Sequence, residues 1–65
     1  MNTEHDLLQK IIQKRKELGI SQQKLADMIS LPQSTIARIE AEIVSPRLET
    51  IILIVNALGI SIEIK

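Results

Sequence analysis

Cysteine and aromatic residues are both missing from this chain. Without cysteine there is no disulfide framework, and a single histidine leaves no Cys/His cluster to hold a metal, so no cofactor is expected. Without Phe, Tyr or Trp there are no flat platforms for unstacked bases, which argues against single-stranded nucleic acid or RNA as a ligand. An excess of one charge is lacking too: 8 Lys and Arg balance 8 Asp and Glu. Because proteins that bind DNA draw most of their affinity from neutralising phosphates, any positive surface here must be local. Arg38 and Arg47 are candidates for it, set apart from Glu4, Asp6 and Glu17 in the first segment. Apolar runs are too short and too interrupted by charge to span a bilayer. The opening MNTEHD is acidic where a signal peptide is basic, so a soluble cytoplasmic protein is expected.

What the chain does have is aliphatic residues at helical spacing. With 65 residues it makes one domain, residues 1–65, near the size at which a chain buries only about 60% of its unfolded surface. Thr3 and Asp6 have capping-box spacing, opening a helix over about 4–18 that stops at Gly19. Leu8, Ile11, Ile12, Arg15 and Leu18 share one face of it. Arg15 is a charge among aliphatics and calls for a carboxylate partner; Glu40 is the candidate. Further along, Ser45 and Pro46 interrupt the chain, and a helix over 48–58 ends at Gly59. Its packing face is Leu48, Ile51, Ile54, Val55 and Leu58, which leaves Ile52 and Leu53 of the run IILIV facing away from the monomer core.

Between these lies SQQKLADMISLPQSTIARIE, residues 21–40, with the pattern of two short helices joined by a tight corner. Ser21 can cap a helix over 22–29, whose stripe is Leu25, Ala26 and Ile29. Ser30, Leu31 and Pro32 break it, and a second helix starts at Gln33 because proline disfavours helix in the residue before it yet tolerates one after it. This helix extends to about residue 42; Ile36 and Ile39 are its buried face, and Ile43 continues their stripe. Its outer face carries Gln33, Ser34, Ala37 and Arg38 with Thr35 at the edge, a set able to read base edges in a major groove. A glutamine amide matches adenine N6 and N7, and arginine forks onto guanine O6 and N7. Arg38 can reach either a base or a phosphate. Backbone amides at Gln22 and Gln33 add phosphate anchors.

The tail ISIEIK alternates apolar and polar residues, with β-branched residues at the apolar positions, which predicts a strand over 60–64. A lone strand leaves its backbone groups unpaired. The same tail of a second subunit is its expected partner, so Ile60, Ile62 and Ile64, with Ile52 or Leu53 beneath, form a homodimer interface; the alternative is a disordered or helical tail.

In this order and spacing, Arg15, ELGISQQKLA at 17–26, QSTIARIE at 33–40 and SPRLET followed by NALGI resemble the Xre-type, or lambda-repressor-like, helix-turn-helix family from about Leu8 to Ile60. The resemblance implies a compact all-α bundle of four helices that binds an inverted-repeat operator in double-stranded DNA as a dimer. It implies that Gln22 contacts a phosphate and braces Gln33, that Gln33 and Ser34 read bases, and that Ala26 lets the two helices approach. Arg15 and Glu40 correspond to the family's internal salt bridge, and Arg47 to a position of phosphate contacts. Two departures have consequences. Ser30 stands where the family often has glycine, so it must turn left-handed or open the corner. Ala41 to Val44 replaces the family's common Asn-Gly and basic residues, which implies fewer phosphate contacts. The strand-like end resembles the antitoxin branch of the family.

Three function classes follow. A dimeric transcriptional regulator, of repressor type, fits most residues. A protein-interaction module or antitoxin that binds a toxin fits the neutral charge, Glu42, and Ile43, Val44 and Leu53, expected to be exposed. An enzyme does not fit: His5 is alone in the first turn, and each serine has a capping, turn, recognition or strand role.

Overall fold

The computed structural model describes residues 3–60, and its helices run α1 Thr3–Glu17, α2 Gln22–Met28, α3 Gln33–Glu40 and α4 Leu48–Leu58. There is no strand among the described residues. The alternating tail, with Ile62 and Ile64, lies outside them. Ile60, expected to open that strand, instead packs partly buried against the helical core, its N–H donating to Val55 O at 2.9 Å. No described helix is long and apolar enough to cross a membrane.

One local device ends all four helices. A left-handed residue follows each one, and two crossed backbone hydrogen bonds satisfy carbonyls that the last turn leaves open. After α1, Gly19 N–H reaches Lys16 O and Ile20 N–H reaches Arg15 O, both at 3.0 Å. After α4, Gly59 and Ile60 repeat the pattern on Asn56 and Val55. Glycine adopts this conformation freely, yet the other two caps use side-chain-bearing residues: Ser30, at φ 58°, after α2, and Glu42, at φ 59°, after α3. Ser30 has thus turned left-handed rather than opening the corner. Since that conformation costs an L-residue roughly 1–2 kcal/mol and costs glycine little, Ser30→Gly is expected to stabilise the fold by about 1 kcal/mol. A rise in urea midpoint at unchanged m-value checks this.

The cap at Glu42 corrects the expected length of α3. The helix stops at Glu40 instead of running to residue 42, because Glu42 N–H bonds Ile39 O and Ile43 N–H bonds Arg38 O, each at 3.0 Å, and reverse the chain. Ile43 therefore leaves the stripe of Ile36 and Ile39 and is 72% exposed, as the partner-binding reading expects of it. Leu18 and Leu48 also differ from their expected burial, at 49% and 71% exposed. Leu18 sits at the reversal after α1, where Ile20 packs against the core in its place. Leu48 opens α4 one turn before Ile51 starts the buried face. Thr3 already stands in the first turn of α1, so it does not precede that helix as the expected cap.

The core takes Leu8 and Ile11 from α1, Leu25 and Ala26 from α2, Ile36 and Ile39 from α3, and Ile51, Ile54, Val55 and Leu58 from α4. Helices α2 and α3 pack more extensively on each other than any other pair. Ala26, fully buried at their junction, has only a methyl group to place between the two backbones. Helix α1 lies against both α3 and α4, so the pair α2–α3 is held from behind while one side of α3 stays open.

Candidate nucleic-acid interface

The two joined helices start differently. Ser21 is extended at φ −74° and ψ 165°, and its hydroxyl accepts from Lys24 N–H at 3.0 Å, as its side chain predicts. Pro32 is also extended but offers no side-chain acceptor, so the first-turn amides of α3 have no side-chain cap. On α3, Ile36 and Ile39 are buried; Ser34 and Arg38 are exposed; Gln33, Thr35 and Ala37 are half-buried. The expected reading face is thus the open one. Arg47 is exposed immediately before α4, and neither it nor Arg38 forms an ion pair among the described residues.

Behind that face runs a continuous polar chain. Arg15 and Glu40 form a forked pair, Nε to Oε2 at 2.7 Å and Nη2 to Oε1 at 2.8 Å, with side chains only 9% and 7% exposed. Arg15 Nη1 also donates to Ile20 O at 2.8 Å, fastening the reversal after α1. Glu40 Oε1 then accepts from Gln22 Nε2 at 3.1 Å, and Gln22 Oε1 accepts from Gln33 Nε2 at 2.8 Å. Among the described residues, no buried side-chain nitrogen or oxygen is left without a partner. The relay brings Gln33, the first residue of α3, under the control of an ion pair anchored in α1. It leaves one N–H and the oxygen of the Gln33 amide unused by the relay, together the donor and acceptor that adenine presents complements for in the major groove.

The sequence pairs Arg15 with Glu40, and the resemblance pairs Gln22 with Gln33; the link from Gln22 to Glu40 that joins the two pairs was not expected. Those pairs already contained the signal, since Gln33 and Glu40 lie seven residues apart on one side of α3, so a Gln22 that reaches the first is near the second. A second feature had no local signal. His5 Nδ1 lies 2.8 Å from Glu42 Oε2, and Ser45 Oγ donates to Glu4 Oε1 at 2.6 Å. The start of α1 thus clasps the loop between α3 and α4, and His5 is not simply solvated as its isolation in the sequence suggests. The described residues contain no group of three or more His, Cys, Asp or Glu side chains suited to a metal ion.

Two short helices at a tight corner, braced from behind and open on the second helix, define a helix-turn-helix unit. A helix-turn-helix family model matches residues 11–65, and the chain belongs to that family. It is similar to an uncharacterized HTH-type transcriptional regulator of Haemophilus influenzae, 38% identical over 58 residues. The match covers 89% of this chain and 59% of the relative, so the chain spans little more than half of that protein's length. No solved structure matches it. Family and relative together mark the chain as a non-enzymatic binding protein.

Proposed function

We propose that the chain is a sequence-specific double-stranded DNA-binding regulator, a dimeric repressor that reads the major groove with α3 from Gln33 onward. The observation that carries this reading is the relay ending at Gln33, which holds one amide edge at the start of an open helix face. Ser34, Thr35, Ala37 and Arg38 share the helix, with Arg38 placed for a base or phosphate further along the groove. Gln22, Arg47 and the uncapped amides at the start of α3 serve as phosphate anchors that set register without reading sequence. The relative named as a transcriptional regulator agrees with this assignment.

A dimer places two recognition helices about 34 Å apart, in successive major grooves of an inverted repeat, and occupancy of the site excludes polymerase. Ile52 and Leu53, both exposed on α4, support a subunit interface that Ile62 and Ile64 would complete. Selection of bound duplexes from a random pool tests the whole reading. Enrichment of an inverted repeat with adenine in each half is the expected outcome; no enriched sequence refutes sequence-specific binding. Arg47→Ala should weaken binding to every duplex alike and lower the salt slope by about 1, measured by mobility shift at two salt concentrations. A loss confined to the selected site would place Arg47 on a base instead.

A second reading is favoured by the surface beyond α3, where Ile43 and Val44 are exposed beside Glu42, and by Leu53, exposed on α4. That patch suits a partner protein, such as a toxin bound by an antitoxin, and is compatible with DNA binding by α3. Copurification of a small partner with the wild-type chain and its loss with Ile43→Ser supports it; operator binding with no such partner counts against it.

A further inference from the structure

Glu40 belongs to both halves of the relay, and the geometry points to a role for it beyond joining helices: its acceptor-only carboxylate fixes which way round the Gln22 and Gln33 amides lie, and so selects adenine over guanine. The inference rests on the DNA-reading function proposed above.

A glutamine amide has a donor end and an acceptor end of nearly equal shape, so packing alone leaves two orientations of similar energy. Glu40 removes that degeneracy. Arg15 occupies both of its oxygens, at 2.7 and 2.8 Å, and Oε1 also meets Gln22 at 3.1 Å. A carboxylate paired with a guanidinium offers no hydrogen to donate. Only the NH2 end of Gln22 can face it, because the flipped amide would set oxygen against oxygen in a part-buried site. Gln22 Oε1 is then turned toward Gln33 and accepts from Gln33 Nε2 at 2.8 Å. The polarity has been passed along two amides.

At Gln33 the remaining N–H and Oε1 lie along the other edge of the amide, in the order that meets adenine N7 with a donor and adenine N6 with an acceptor. Reversal changes the readout. An inverted amide would put oxygen against N7, an acceptor on either purine, and N–H toward the six-position, where guanine has an acceptor and adenine a donor. Base choice at this position therefore depends on Glu40, a positioning residue that touches no base.

The test uses the intact chain and two duplexes of the selected operator that differ only by A·T or G·C at the position read by Gln33, with a random-sequence duplex as reference. Gln22→Met cuts the relay and leaves the Arg15–Glu40 pair whole; Arg15→Met combined with Glu40→Leu removes the anchor and leaves no buried charge unpaired. In both variants the preference for adenine over guanine should fall about tenfold, the worth of one such base contact. Affinity of the double variant for the random duplex should stay within about twofold. The side-chain NH2 signals of Gln33 in the free protein, followed by 15N–1H spectra, should shift in the double variant although the hydrogen bond of Gln33 goes to Gln22 and not to Glu40. An unchanged preference in folded Gln22→Met overturns the inference. Should the wild-type chain show no base preference at all, the DNA-reading function fails, and the spectra still decide the orientation claim: Gln33 signals unmoved by removal of the anchor would overturn it.

Discussion

Arg15→Met is expected to lower the unfolding free energy by about 3–5 kcal/mol, because it leaves the Glu40 carboxylate buried with its cation removed. Methionine keeps most of the aliphatic stem, so the loss is read from the charge and its hydrogen bonds rather than from packing. Those bonds include the one to Ile20 O that fastens the reversal after α1. A domain of 65 residues has a total stability of only about 3–10 kcal/mol, so the variant should be largely unfolded or close to it at 37 °C. Pairing the change with Glu40→Leu should restore most of the loss, since exchanging a whole buried ion pair for apolar residues is often neutral or better. Urea titration followed by circular dichroism would check both outcomes. Equal instability of the single and double variants would mean that the pair contributes by shape alone.

Gln33→Ala is expected to lower affinity for the selected operator by about 10- to 100-fold, corresponding to about 1–3 kcal/mol for one paired base contact. Affinity for random duplex should barely change, because phosphate contacts from other residues supply that term. The fold should tolerate the substitution. Gln33 is half-buried at the first position of α3, and its removal leaves Gln22 Oε1 unpaired near the surface rather than in the core. Mobility shifts on operator and random duplex in parallel distinguish the roles. Equal losses on both would make Gln33 a backbone contact.

The helical framework was legible in the sequence because each segment carried its own punctuation. Gly19 and Gly59 marked left-handed stops, Ser21 a cap, and Pro32 a start, and α4 begins and ends where the pattern placed it. The stops after α2 and α3 were harder, since serine and glutamate give little sign of a left-handed backbone. At Glu42 the apolar spacing of Ile36, Ile39 and Ile43 outweighed a reversal that only the backbone reveals, so α3 was read two residues too long. The Arg15–Glu40 pair was legible because a cation on an apolar stripe demands a partner. The clasp of His5 and Glu4 on the loop was not, because contacts spanning 37 and 41 residues between exposed polar groups leave no periodic trace. The same holds for the Gln22–Glu40 link, which becomes visible only when the two inferred pairs are placed in one space.

That the Gln33 amide reads an adenine edge is tested most directly by changing one atom of that edge. Replacing the adenine in the selected duplex by 7-deazaadenine removes the N7 acceptor and leaves the N6 amino group and the base pairing in place. Wild-type affinity should fall by about tenfold, while Gln33→Ala, already without the contact, should bind the two duplexes equally. An equal loss for both proteins, or no loss for the wild type, would contradict a glutamine-to-adenine contact at the start of α3.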